Sequence, residues 1–352
     1  MSELRRDPIV GYWTIVSAER GWRPMEYRPK KALDQRECPF CEGKESMTTS
    51  EVFALRKPGS LPDGPGWEVR SILSKMPILS NTAGGQGSDA VGIYDTRDGV
   101  GQHEIIVETP RHQHDLDEFS HEAIEKVLKA YAERIRELSD DRRFEYALLF
   151  KNHGLVSGAA TDVIRHSRSQ LLAMPIIPKR AKEQLALTKG YYERRERCVV
   201  CDVLKQESLD GTRVVAQNGS FFAYCPFASR SPFEIWLLPK KHSADFAKTE
   251  GTAFSDLAWI LKQCLVKLRD LLDDPPYNLI LHTAPFRHKK RAVYWKTIEE
   301  DYHWYWQIMP RLTLNAGFEW GTGIHINPTP PEEAAALLRE TRMPDKQAPG
   351  EE

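Results

Sequence analysis

Two five-residue stretches carry the residue types that could do chemistry, His166-Ser-Arg-Ser-Gln170 and His303-Trp-Tyr-Trp-Gln307. Both read His-x-z-x-Gln, with Arg168 at z in the first and Tyr305 in the second. Upstream of each stand a Cys-x-x-Cys pair and a histidine: Cys38, Cys41 and His112, then Cys198, Cys201 and His242. A closed structural zinc site takes four tetrahedral N or S ligands, often one Cys-x-x-Cys pair plus two residues from elsewhere. The first half therefore offers Cys38, Cys41, His112 and His166, and the second Cys198, Cys201, His242 and His303. His114 is the alternative to His112. A redox dithiol or unliganded core thiols are the rival readings of a single pair. Two pairs followed by histidines in the same order favour zinc in both halves. If His166 is a zinc ligand its imidazole has no lone pair left for a substrate, and the metal instead fixes the strand that presents residue 168.

The elements that must position these residues also come twice. The first half runs from a strand at Trp13–Val16 through the first Cys pair, a Pro/Gly-rich loop at 58–66 and a strand at 67–73. A Gly-rich loop at 81–88 follows, then a strand at 104–110 that delivers His112. Residues 119–138 place Ile124, Val127, Leu128, Tyr131 and Ile135 at helical spacing. A buried strand at 144–150, a turn at 151–154 and a strand at 171–177 complete the half. A charged helix over 181–197 bridges to the second half. There the same order returns: Cys pair, strands near 214 and at 221–224, a strand at 234–239 delivering His242, a helix over 254–272, and strands at 277–282 and 304–312. Shared order together with shared motifs indicates a duplication. The expected organisation is an N-terminal half over 1–190, a C-terminal half over 191–333 and a flexible tail over 334–352, with a short Glu/Ala helix past Pro330.

At 352 residues, 41% hydrophobic and 28% charged, the chain has the composition of an ordinary globular protein. A formal charge of −1 provides no global basic field and argues against a dedicated nucleic-acid binder. No apolar run approaches the roughly 20 residues of a membrane helix. The first residues carry acid and proline where a signal peptide is apolar, so a cytoplasmic location is expected. Of the six cysteines, Cys225 and Cys264 lie singly among apolar residues and read as core.

With these residues in view, the chain resembles the galactose-1-phosphate uridylyltransferase family of the histidine-triad superfamily, including its ADP-glucose phosphorylase-like branch. The likeness extends to about residue 333. It is carried by Asp7-Pro8 through Trp13 to Arg20 and Arg23; Cys38-Pro-Phe-Cys41; His103-Glu-Ile-Ile-Val-Glu-Thr-Pro-Arg-His112; Asn152 and Gly154; and His166 with Gln170. It continues in Pro232-Phe-Glu-Ile-Trp236, Tyr277-Asn278, His282-Thr-Ala-Pro285 and Ala316-Gly-Phe-Glu-Trp-Gly-Thr-Gly323. The resemblance implies an α+β fold of two tandem histidine-triad-like halves, antiparallel sheets with flanking helices, assembled as a homodimer. It implies transfer of a nucleoside monophosphate between a sugar phosphate and another phosphate, with a nucleotide sugar or sugar phosphate as ligand. A histidine at z attacks the α-phosphorus. Carried over, Arg20, Arg23, Asn152, Gly158 and Gln170 bind the substrate, the two arginines being able to act from the neighbouring subunit.

The sequence departs from the family at z. Arg168 has no free lone pair and stays protonated, so it cannot attack phosphorus. It can grip phosphate oxygens and stabilise transition-state charge, with Gln170 beside it as the second catalytic candidate. That chemistry suits direct displacement. The alternative is a catalytically inactive, zinc-stabilised protein that binds or senses a nucleotide sugar. Tyr305 replaces a frequent histidine in the second half and reads either as a hydrogen-bond donor to substrate or as core among Trp295, Trp304 and Trp306. Ser74-Lys-Met-Pro77 stands where the family has Asn-Lys-aromatic-Pro, and the 159–165 segment is longer than usual. His153 is a substitute nucleophile or a surface turn residue.

Overall fold

In the computed structural model, residues 3–6, 9, 13–16, 38–79, 81, 88–91, 94–97, 99–112, 115–158, 165–288, 295–314 and 316–341 are described. Arg20, Arg23, His114, most of the 81–88 and 159–165 segments, and the last eleven positions lie outside them. In chain order the first half contains β1 (Glu3–Arg6), β2 (Trp13–Val16), β3 (Glu51–Arg56), β4 (Trp67–Leu73), β5 (Ser88–Val91), β6 (Tyr94–Arg97) and β7 (Gln102–Val107). It continues with α1 (His121–Ser139), β8 (Tyr146–His153) and β9 (Arg168–Met174), and α2 (Lys179–Arg195) leads out of it. The second half holds α3 (Val199–Asp210), β10 (Val214–Gln217), β11 (Phe221–Tyr224), β12 (Ile235–Pro239) and α4 (Ala253–Leu272). After these come β13 (Tyr277–His282), α5 (Ile298–Asp301), β14 (Tyr305–Pro310), α6 (Gly317–Thr322), β15 (His325–Asn327) and α7 (Pro331–Glu340).

The fold is α+β with two antiparallel halves, as the resemblance implies, but the halves do not keep separate sheets. They merge into one ten-stranded sheet in the order β10-β11-β12-β14-β13-β8-β9-β7-β4-β3. Each half contributes five strands in matching order, and β13 meets β8 at the centre in antiparallel register. There Ile280 pairs with Phe150, and these two residues pair respectively with Gln307 and Gln170, the last residues of the two motifs. A local two-fold axis therefore passes between Phe150 and Ile280, and the duplication read from the sequence is present as symmetry of the sheet.

One face of this sheet is covered by α1 and α4. Ser120 caps α1 by accepting from the Ala123 amide at 3.2 Å. The apolar stripe of α1, Ile124, Val127, Leu128, Tyr131 and Ile135, is buried together with Leu257, Leu261 and Leu265 of α4. Leu149, Leu171, Leu279, Trp304 and Trp306 rise from both halves into that same core, so the halves share one interior. On the opposite face, α2 packs through Ala181 and Leu185 against Tyr146 of the first half and Ala284, Ile298 and Tyr302 of the second, which is the expected bridge. Position 190 falls inside this helix. Cys225 and Cys264 are fully buried, as expected of core residues. The packed chain does not stop at 333. Ala334, Ala335 and Leu338 of α7 enter the core, and Lys267 donates to the Leu338 carbonyl at 2.9 Å, so apolar burial fixes the first turns of the expected tail.

Candidate active site and metal centres

The eight cysteine and histidine positions assemble into two groups, Cys38/Cys41/His112/His166 and Cys198/Cys201/His242/His303, each with its donor atoms within 4.8 Å of one another. In the first, His166 Nδ1 lies 3.5 Å from Cys38 Sγ and 3.8 Å from Cys41 Sγ, and His112 Nδ1 lies 3.5 Å from Cys41 Sγ. In the second, Cys201 Sγ is 3.3 Å from His242 Nδ1 and 3.6 Å from His303 Nδ1. Three of the histidines have the opposite nitrogen fixed by a backbone carbonyl. Nε2 of His166 donates to Thr109 O at 2.7 Å, that of His303 to Pro239 O at 3.0 Å, and that of His242 to Glu299 O at 2.6 Å. Such bonds set the tautomer and aim the Nδ1 lone pair at the sulfurs, the arrangement expected around a metal. Burial lowers the His166 pKa to about 4, which keeps that lone pair available at neutral pH. His112 is the histidine found in the group, and the alternative, His114, lies outside the described residues.

Downstream of His166, β9 alternates between two environments. Ser167 and Ser169 face α1, whereas Arg168 and Gln170 face the other side of the sheet. Beneath β9 lies a buried ion pair, Lys151 Nζ to Glu108 Oε2 at 2.6 Å. The Glu108 carboxylate also accepts from Ser167 at 2.6 Å, Ser169 at 2.5 Å and Tyr131 Oη at 2.6 Å. Burial pushes its pKa up, but Lys151 and the two serine hydroxyls outweigh burial and hold it below the ordinary carboxylate value. The expected turn at 151–154 is therefore a continuation of β8, because a charged lysine there has a buried partner. For the same reason β9 begins at Arg168 and not at Leu171.

On the open side, Gln170 is oriented by a residue that motif reading left unassigned. The Ile78 amide donates to His103 Nδ1 at 3.2 Å, so the proton sits on Nε2, which donates to Gln170 Oε1 at 3.0 Å. The Gln170 amide nitrogen is thereby turned outward. Asn152 shares this face and holds the loop that follows β8, donating from Nδ2 to Gly158 O at 3.2 Å while accepting from Asn278 at 2.7 Å. Gly154 (φ 75°) and Gly158 (φ 91°) bracket that turn in left-handed backbone that favours glycine. The Arg168 guanidinium lies 5.5 Å from the Phe40 ring centroid, over the first Cys-x-x-Cys turn, and Nη1 donates to His166 O at 3.0 Å. No described imidazole takes its place. His103 has both ring nitrogens bonded, and His153 is bonded to Asp274 at 2.8 Å and stacked on Tyr277. His153 is thus a largely buried ion-pairing residue and neither a nucleophile nor a surface turn histidine. Burial opposes its protonation, yet Asp274 and Asp115 raise its pKa above the ordinary value.

In the second half the corresponding positions are packed shut. Tyr305, expected as a substrate donor or as core, is 1% exposed. Its ring is stacked between Trp236 and His282, with centroids 4.4 Å away on both sides. Val199 and Val200 of α3 close over this cluster, so Tyr305 is core and has no access to ligand. Gln307 is spent internally, accepting from His282 at 3.0 Å and donating to Glu234. Against α4, Leu281, Trp304 and Trp306 stand where the first half has Lys151, Ser167 and Ser169. Only the first half keeps a polar strand with an open face.

A duplicated α+β unit carrying two Cys2His2 groups, with one polar and one apolar His-x-z-x-Gln strand, defines the class. Residues 184–341 match the family described as "Galactose-1-phosphate uridyl transferase, C-terminal domain", and residues 94–177 match a "Domain of unknown function (DUF4931) N-terminal domain". The chain is 33% identical to ADP-glucose phosphorylase of Arabidopsis thaliana, covering 97% of this chain and 93% of that protein. It is 29% identical to galactose-1-phosphate uridylyltransferase of Thermotoga maritima, covering 97% and 99%. Among solved structures, the Arabidopsis thaliana ADP-glucose phosphorylase with bound ADP-glucose superposes with a TM-score of 0.81 at 33% identity, over 97% of this chain and 100% of that one. The chain belongs to the galactose-1-phosphate uridylyltransferase family.

Proposed function

We propose that the open face of the first half binds a nucleotide sugar or related nucleoside diphosphate compound and displaces at phosphorus directly, without a nucleotidyl-histidine intermediate. Relatives named as an ADP-glucose phosphorylase and a galactose-1-phosphate uridylyltransferase support the substrate class. The observation that carries the mechanism is β9 itself. The Cys/His group, the buried Glu108–Lys151 pair and the oriented Gln170 hold the strand, yet z is an arginine. Phosphate, a sugar phosphate or water attacks the α- or β-phosphorus, the bridging P–O bond breaks, and the leaving phosphate carries the electron pair away. Arg168 and the Gln170 amide donate to the charge that develops. Asn152 positions the Gly154–Gly158 loop against the phosphates. Arg20 and Arg23 complete the site from the partner subunit of a homodimer in a reducing, cytoplasmic setting.

Zinc fits both metal groups. Zn–S of 2.3 Å and Zn–N of 2.0–2.1 Å at a tetrahedral angle give an S···N edge of about 3.6 Å. The distances of 3.3 to 3.8 Å match that edge. Bound there, zinc supplies rigidity. In the first half it would anchor His166 at the head of β9, two residues from the guanidinium.

The bond from Arg168 to its own strand at His166 O favours a second reading, binding without turnover. Incubation with ADP-glucose or UDP-glucose labelled at the α-phosphate, with and without inorganic phosphate, separates the two. Direct displacement gives released nucleotide product and no acid-labile label on the protein, and Arg168→Gln lowers the rate about 10²-fold or more. Acid-labile label on the wild-type protein overturns the mechanism. Ligand-induced thermal stabilisation without product establishes the binding reading.

A further inference from the structure

The turn that follows β8 is not held by apolar burial. It runs from Gly154 through a single 3-10 turn at Leu155–Ser157 to Gly158, and no residue of that turn is buried. Side chains fasten it to the sheet, and one of them comes from the other half of the chain. Asn278 of β13 lies opposite Asn152 of β8 across the central seam. Its Nδ2 donates to Asn152 Oδ1 at 2.7 Å and to Ser157 O at 2.9 Å, so both N–H groups of one amide are used. A flipped Asn278 would set its own oxygen against two acceptors, which fixes the orientation. Asn152 in turn gives one N–H to Gly158 O at 3.2 Å. The root of the turn is tied to the same region, because His153 stacks on Tyr277 with ring centroids 4.7 Å apart and bonds Asp274 at 2.8 Å.

We propose that Asn278 is a positioning residue for the first-half site, a clamp from the second half that sets the Gly154–Gly158 turn and the Asn152 amide against phosphate. This rests on the reading of the first-half face as a phosphate site. A phosphate oxygen only accepts hydrogen bonds, so a carbonyl turned toward it repels it. Asn278 and Asn152 draw the Ser157 and Gly158 carbonyls onto the sheet, and the second N–H of Asn152 is left for the ligand. The local two-fold axis separates this role from a general need of the sheet. Rotation about the axis between Phe150 and Ile280 carries Asn278 onto Leu148, an apolar residue packed beside Tyr146. The connection that follows β13 is fixed by burial of Thr283 and Ala284 and needs no such amide. The donor therefore stands on one side only, where an exposed turn has to be held.

The test is amide hydrogen exchange by mass spectrometry on the full-length protein and on N278D, N278L and N278H, with ADP-glucose binding and turnover measured on the same samples. N278D keeps the shape and removes both donors, N278L removes all polarity, and N278H returns one N–H near the lost amide nitrogen. The expected result is exchange over 154–158 faster by about tenfold or more in N278D and N278L, the loss of two hydrogen bonds, with partial recovery in N278H. Exchange over α1 stays as in the wild-type protein and reports that each variant is folded; if N278L fails this control, the near-isosteric N278D decides. Handling of ADP-glucose falls and recovers in the same order. Unchanged exchange over 154–158 in N278D overturns the clamp. Faster exchange with unaltered binding and turnover of ADP-glucose overturns the positioning role. If the wild-type protein takes no ADP-glucose, the exchange data alone decide the clamp and the failure belongs to the functional reading.

Discussion

Replacing Lys151 by leucine tests whether β9 is held by charge. The substitution leaves Glu108, whose carboxylate is wholly buried, without its cation at 2.6 Å. Removing one partner of a buried pair costs about 3–5 kcal/mol. Here the carboxylate keeps the hydroxyls of Tyr131, Ser167 and Ser169, which places the expected loss near the lower end, about 3 kcal/mol. For a chain longer than 250 residues that corresponds to a fall in Tm of about 5 °C or somewhat more. The pH dependence carries the sign. In the wild-type protein the Glu108 pKa is depressed, so its stabilisation is present above the unfolded carboxylate pKa and is lost as pH falls through the folded value. In Lys151→Leu burial dominates and raises that pKa. The variant then loses most near about pH 7, and its deficit against wild type shrinks toward about pH 5 as Glu108 takes up a proton. Urea denaturation of both proteins at the two pH values measures the difference. The double variant Lys151→Leu/Glu108→Leu recovers part of the loss, because apolar replacement of a whole buried pair is neutral or stabilising by about 1–4 kcal/mol. A deficit that does not change with pH, together with a double variant as unstable as the two single losses added, refutes the reasoning.

Much of this arrangement is legible from local pattern. The strands at 67–73 and 277–282 are found at the expected bounds, and α1, α2 and α4 lie within a few residues of theirs, because period-2 and period-3.6 apolar spacing depends only on neighbours. The two Cys2His2 groups follow from motif order, since ligand type and succession are written along the chain even where His166 is 128 residues from Cys38. What local reading misses is polarity satisfied at a distance. Lys151-Asn-His-Gly154 reads as a turn and the strand after it as starting at Leu171, yet β8 runs on to His153 and β9 starts at Arg168, since Glu108 lies 43 residues before Lys151 and turns a charged position into a buried one. The helix α3 escapes notice because Val199, Val200 and Val203 are β-branched, and its apolar side is needed only to cover Tyr305 and its neighbours. One signal was available. Aligning the two halves sets Lys151, Ser167 and Ser169 against Leu281, Trp304 and Trp306, and three polar-to-apolar changes on one face mark which half is kept polar.

Metal analysis by mass spectrometry should find two zinc ions per chain, falling to one in Cys38→Ser and one in Cys201→Ser; chelation should lower Tm, and two ions retained in either variant would remove that group as the binding site. The role of His103 makes a sharper demand on the candidate site. With Nδ1 occupied by the Ile78 amide, His103 can only donate to Gln170, and that bond alone keeps the glutamine oxygen inward and its amide donors outward. In His103→Ala the amide is free to flip, presenting an acceptor to phosphate oxygens half of the time and losing the bond that holds it still. On the proposed chemistry kcat for a nucleotide sugar falls about tenfold or more, while KM, set mainly by contacts elsewhere on the ligand, moves less. His103→Gln, whose amide can still donate to Gln170, recovers part of that loss. A purely packing role for the buried imidazole would lower Tm in both variants and leave kcat of the folded protein unchanged, and that outcome would detach Gln170 from the phosphate.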